Sequence, residues 1–146
     1  MITIERTVST TTDAETVSTY LADFTNAEEW DSGTKSCALI SGDGGVGTRY
    51  RNVSTFAGRT VELVYEVIDR TDDRLVIEGS NRTTTSRDTI TTVAAGGGSD
   101  VIYRADFTLQ GPARFLGPVM RILLNRLANR TAAQMKTVLD SLTARS

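Results

Sequence analysis

Any chemistry in this sequence falls to tyrosine, asparagine, serine, carboxylate and arginine side chains, because the chain has no histidine and a single cysteine. Ser-His-Asp and Cys-His nucleophilic catalysis are excluded on that ground, as are histidine-ligated metal centres. Cys37 alone can form neither an internal disulfide nor a zinc site, and without an imidazole beside it reads as a small packed residue. No cofactor is expected.

The most informative group surrounds Ala57-Gly58. If these two residues make a hairpin turn, Phe56 faces Arg59, Ser54 faces Val61, Asn52 faces Leu63 and Tyr50 faces Tyr65. Facing residues share a side of the sheet. Val61, Leu63, Tyr65 and Val67 form the apolar side while Glu62 and Glu66 alternate outward, so Tyr50, Asn52 and Ser54 also point inward. On the outer side Arg49 stands opposite Glu66. A plain core would set Leu or Val against Leu63 and Val61, whereas Asn52 and Ser54 need partners there. Buried water, a ligand or one another would serve. A slip of one residue would turn every one of these side chains over.

Trp30, Tyr103 and Phe107 are further candidates. Tyr103, Ala105 and Phe107 share one face of the last strand, and an indole or phenol joins a flat apolar surface to a hydrogen-bonding edge. Core packing explains these aromatics equally well. Arg104 and Asp106 have the opposite parity and are expected in solvent. Arg87 and Asp88 are adjacent in a strand, so one of them points inward, but the length of the following glycine turn leaves the parity open. An inward Arg87 would suit an acidic or phenolate ligand; an inward Asp88 would be a base. Gly42-Asp43-Gly44-Gly45-Val46-Gly47 matches G-x-G-x-x-G. A β-rich stretch follows it instead of the helix that a dinucleotide site requires, so a flexible hairpin turn is expected; a loop gating a cavity mouth is a secondary reading.

These residues need a scaffold, and periodicity describes one. Ile2, Ile4 and Val8 share the parity of a half-buried strand. Thr12-Asp13-Ala14-Glu15 fits a capping box ahead of a helix carrying Val17, Tyr20, Leu21 and Phe24. Asn26 to Trp30 reads as a second short helix capped by Asn26. From Ser36 to Leu109 the pattern is β, with turns at Gly42 to Gly45, Ala57-Gly58, Arg70 to Asp73, Asn81 to Thr83 and Gly96 to Gly98. That makes seven strands with the first, and the absence of helical crossovers favours an antiparallel meander. After Gly111-Pro112, a helix from Pro118 to about Thr143 would run roughly 39 Å. Its stripe of Val119, Met120, Leu123, Leu127, Met135, Val138 and Leu142 must be covered by the sheet, with Arg121, Arg126, Arg130 and Lys136 on the wet side.

The chain has 146 residues, and one domain over 1–146 is expected. Lys and Arg number 16 against 18 Asp and Glu, for a net charge of −2, which excludes a polybasic nucleic-acid binder. No segment approaches the ~18–20 apolar residues of a membrane span, and the start does not read as a signal peptide. A cytoplasmic protein without stable membrane insertion is expected, as a monomer or weak homodimer. The overall acidity also argues against a membrane-docking stripe around Arg114, Arg121 and Arg126.

The order of strand, two short helices, six strands and long terminal helix resembles the helix-grip fold of the SRPBCC superfamily, which includes START domains, the major pollen allergen and polyketide cyclases. Gly45-Val46-Gly47-Thr48-Arg49-Tyr50 resembles that family's glycine-rich turn into the third strand. Gly58 to Leu63 and Arg74 to Gly79 resemble its fourth and fifth strands, and Gly96 to Tyr103 the turn into its last. The resemblance implies an α+β domain with a curved seven-stranded antiparallel sheet under a long C-terminal helix. It also implies a cavity between them for an apolar small molecule of lipid, polyketide or isoprenoid type. Tyr50, Asn52, Ser54, Leu63 and Tyr65 would line it from the hairpin, Trp30, Tyr103 and Phe107 from beside it, and Met120 and Leu123 from the helix. A polyketide cyclase/dehydrase-like enzyme using the same cavity is the alternative, and a protein-interaction or chaperone module a further one. Fold alone does not choose among them.

Overall fold

The structure is a computed structural model that describes residues 1–145, with side chains up to Leu142. Strand β1 (Ile2–Thr10) leads into α1 (Ala14–Ala22), a 3-10 turn (Phe24–Asn26) and α2 (Ala27–Trp30). Six strands follow: β2 (Thr34–Ser41), β3 (Arg49–Phe56), β4 (Arg59–Arg70), β5 (Arg74–Ser80), β6 (Thr84–Ala95) and β7 (Gly98–Leu109). A second 3-10 turn (Gly111–Leu116) enters α3 (Gly117–Arg145). The sheet order is β1-β7-β6-β5-β4-β3-β2, and every neighbouring pair is antiparallel. This is the expected meander, with β1 added beside β7.

The β3–β4 register is the one that the Ala57-Gly58 turn implies: Tyr50 opposes Tyr65, Asn52 opposes Leu63 and Ser54 opposes Val61. Arg49 and Glu66 face each other in solvent at 4.0 Å. Ala57 and Gly58 have φ of 52° and 76°, the left-handed pair of a tight two-residue hairpin turn. Gly96 and Gly97, at 56° and 86°, make a second such turn, with Ala95 paired to Gly98. The Gly42 to Gly47 loop enters a strand, as expected, and folds tightly on Thr48, where a Cβ on Gly42 would lie 2.6 Å from the hydroxyl.

Three local expectations fail for identifiable reasons. The capping box does not form: Asp13 caps α1 by accepting from the Thr16 amide, while the Thr12 hydroxyl donates to the Leu139 carbonyl of α3 at 2.6 Å. Asn26 precedes α2, but its side-chain amide donates to the Tyr20 carbonyl instead of capping. On α3 the buried residues are Leu124, Thr131, Met135, Leu139 and Leu142, and Val119 is exposed. The stripe rotates because α3 is gripped from two flanks.

On one flank, Arg6 of β1 donates to Asn129 at 3.0 Å and Asn125 at 3.1 Å, and Lys136 donates to the Ser9 carbonyl at 2.8 Å. Thr10 donates to Asp140 at 2.6 Å. On the other, Thr131 donates to Asp31 at 3.0 Å and meets the Ser32 hydroxyl at 3.1 Å, while Gln134 reaches the Glu29 carbonyl at 2.7 Å. The sheet's concave face therefore lies under a rod tied to β1 and to the α2–β2 connection.

Because alanine is unfavourable at positive φ, Ala57→Asn should stabilise the fold by about 0.5–1 kcal/mol. A rise in the thermal unfolding midpoint would support this turn and its register; an unchanged or lower midpoint would count against both.

Candidate functional site

The inner face of β6 is mostly polar: Thr84, Ser86, Asp88, Ile90 and Thr92 alternate inward. The pairing of Asp88 with Ala105 and Ile77 turns its carboxylate into the interior, leaving it 4% exposed. Arg87 consequently points outward, where it makes two hydrogen bonds to Glu78 at 2.9 and 2.8 Å. The parity left open by the sequence is thus decided by the two-residue Gly96-Gly97 turn.

Asp88 accepts from the Ser86 hydroxyl and from the Tyr103 phenol, each at 2.7 Å. Among the described residues it makes no ion pair. Burial pushes its pKa up to about 6 from 3.8, outweighing the two hydroxyl donors that pull it down. Burial, with the Asp88 charge next, raises the phenols of Tyr103 and Tyr65 well above their ordinary range, so both stay protonated donors.

Tyr65 completes the group. Its phenol lies beside Ser86, and its ring lies over β5 at the one position without a side chain. A Cβ on Gly79 would come within 2.6 Å of that ring. Tyr50, Tyr65, Gly79, Ser86 and Phe107 form a single row across five strands. Tyr65, Ser86, Asp88 and Tyr103 therefore make a continuous line of hydroxyls around one carboxylate.

Trp30 approaches from above. It is 1% exposed, its ring meets Tyr103 edge-on at 5.8 Å, and its indole N–H is the one buried side-chain polar atom without a partner among the described residues. A buried donor left unpaired costs about 1–3 kcal/mol.

The candidate residues divide among two apolar clusters, one helix position and one polar pair. Trp30, Tyr50, Tyr65, Leu63 and Tyr103 meet in one apolar cluster, while Phe107 and Met120 belong to a second one around Ile2, Ile4 and Leu124. Leu123 is half-buried on α3. Asn52 is buried at 3% exposure, as the register requires, but its polar atoms are satisfied locally. Its carbonyl oxygen accepts from Ser54 at 2.6 Å, and its amide donates to Thr34 at 3.1 Å. Cys37 sits beside it, its thiol pushed by burial up to about 12 and inert. Ser86 and Asp31 were not singled out from sequence. The small-residue run Gly79-Ser80 opposite a serine was the only trace of the former.

A surface crevice of about 380 Å³ opens elsewhere, between Ser18, Thr19 and Ala22 of α1, Gly45 and Val46 of the glycine loop, and Arg70, Thr71 and Asp72. It shares no lining residue with the Asp88 group.

Residues 1–140 match the family model described as polyketide cyclase / dehydrase and lipid transport. The chain belongs to that family. Solved structures of similar fold include TTHA0849 from Thermus thermophilus, with TM-score 0.79 at 18% identity over 99% of both chains. A START superfamily protein from Mycobacterium smegmatis superposes with TM-score 0.81 at 15% identity, covering 96% of this chain and 98% of that one. The Zhui aromatase/cyclase from Streptomyces sp. R1128 gives TM-score 0.79 at 14% identity over 98% and 94%. At such identities these likenesses establish the helix-grip fold. No curated protein matches the sequence. No helix among the described residues is long and apolar enough to cross a membrane.

A raised pKa in the folded state means that folding favours the protonated carboxyl. Below about pH 4 Asp88 is protonated folded or unfolded and costs nothing, stability then falls as pH rises toward 6, and above that the penalty is complete at roughly 3 kcal/mol. Asp88→Asn should therefore raise the unfolding midpoint at pH 7, and the gain should vanish near pH 4. Equal gains at both pH values would mean that charge burial is not the cause.

Proposed function

We propose that this family member binds an apolar small molecule of lipid, polyketide or isoprenoid type under α3. The ligand would carry oxygen functions that meet Trp30 and Asp88. The observation that carries this reading lies around Tyr103: among the described residues, a buried indole N–H has no acceptor, and near it a buried carboxylate has two hydroxyl donors but no cation. Together they ask for one acceptor and one donor, the pattern of a hydroxyketone, enol or phenol. Burial of the hydrocarbon body supplies affinity at about 25 cal/mol per Å², and the polar pair selects orientation. The half-buried Leu63, Phe107, Met120 and Leu123 would face the ligand where α3 is not tied to the sheet.

A second reading, cyclase/dehydrase chemistry, is favoured by one feature. A carboxylate with pKa near 6 and a phenol bonded to it can take a proton from a carbon between two carbonyls and return one to a leaving hydroxyl. Arg87, paired outside with Glu78, takes no part.

Trp30 is the only tryptophan in the chain, so its fluorescence reports on this interior. Titration with a hydroxylated polyketide surrogate should change Trp30 emission saturably, and Asp88→Asn should weaken binding about tenfold while the protein stays folded. Emission that does not respond to any oxygenated apolar ligand would refute the binding reading. Turnover of the surrogate, lost in Asp88→Asn and in Tyr103→Phe, would select the enzyme.

A further inference from the structure

Leu124, Met135, Leu139 and Leu142 of α3 are buried, yet the leading end of this helix turns several large apolar side chains outward. Phe115 is 74% exposed, and Leu116, Val119 and Ile122 are each more than half exposed. Phe115 and Leu116 lie in the 3-10 turn ahead of α3, and on the helix itself Val119, Ile122 and Arg126 follow spacings of three and four residues, which places those three on one outward face. The Arg114 guanidinium lies over the Phe115 ring at 5.0 Å.

The charge around this face is one-sided. Residues 107–139 contain five cationic side chains and no carboxylate, in a chain whose net charge is −2. Arg114, Arg121, Arg126 and Arg130 make no ion pair among the described residues; on the sheet Arg49, Arg51, Arg74, Arg87 and Arg104 each pair with a carboxylate, while Arg59 and Arg70 do not. The loop that carries Arg82 lies beside this end, because the Gln110 amide, just before the 3-10 turn, donates to the Thr83 carbonyl at 2.8 Å.

We propose that the Gly111–Leu116 turn and the first turns of α3 dock this protein on an anionic membrane surface. Exposed apolar side chains ringed by arginines have the make-up of an interfacial helix, whose apolar face enters the headgroup boundary while its cations meet lipid phosphates. A second copy of the chain is disfavoured, since a two-fold contact through this patch would bring unpaired arginines together. The side chains also stand out from a convex rod, where a protein partner would need a matching groove and a bilayer would not. The whole-chain acidity that argues against docking averages over a segment whose own charge is strongly positive. Docking here does not depend on what the interior binds.

Flotation of the full chain with vesicles tests the proposal. The protein should float with equimolar phosphatidylcholine and phosphatidylglycerol, not with phosphatidylcholine alone, and binding should weaken as salt rises. Phe115→Ser with Ile122→Ser should reduce partitioning on the order of tenfold or more, and Arg114→Gln and Arg121→Gln by about fivefold each. All should keep the wild-type unfolding midpoint, because the replaced side chains are exposed. Failure to float with anionic vesicles, equal flotation with neutral ones, or undiminished flotation of the Phe115/Ile122 variant would overturn it. A concentration-dependent dimer abolished by that same variant, without flotation, would replace the bilayer with a second copy.

Discussion

The two-sided tether of α3 is the constraint on which the interior depends. A helix held on a concave sheet by apolar contacts alone could roll or slide along it, since such contacts are non-directional. Here hydrogen bonds to Arg6, Ser9, Thr10 and Thr12 hold one flank, and bonds to Glu29, Asp31 and Ser32 hold the other. All of them reach α3 between Asn125 and Asp140; its leading turns pack through Leu124 and Met120 against Ile2 and Ile4. That same end carries the half-buried Phe107 and Met120 and the exposed Phe115 and Ile122.

Beneath the tethered rod, the interior tolerates a group that packing alone would remove. Asp88 is buried with two neutral donors and, among the described residues, no cation, and replacing such a charge by a neutral isostere generally stabilises a protein. Groups kept at a cost to stability cluster where binding or proton transfer needs them. The line Tyr65–Ser86–Asp88–Tyr103 spans four strands, so its geometry is set by rigid sheet instead of loops.

Much of the fold was legible because local signals agreed with tertiary demands. Ala57-Gly58 fixed a register, and the alternation of Val61, Leu63 and Tyr65 with Glu62 and Glu66 told inside from outside. Where both faces of a strand carry threonine, as in β6 with Thr84, Thr85, Thr89, Thr91 and Thr92, alternation is silent and Asp88 could not be oriented. Thr12 looked like a cap because its real partner, the Leu139 carbonyl, is 127 positions away. Asn52 was rightly placed inside, but which polar groups find partners depends on contacts such as Thr34 that only the folded sheet brings near. The α3 stripe was misjudged at Val119 because a two-flank grip asks for a different set of faces than a single seam.

Gly79 carries no functional group, yet the aim of the Tyr65 phenol depends on it. The missing carbon lets an aromatic ring cross a neighbouring strand and present its oxygen to a serine on the strand beyond. Hydroxyl placement inside this fold is therefore governed partly by emptiness, and a search for functional positions confined to reactive side chains would pass over the residue that permits the arrangement.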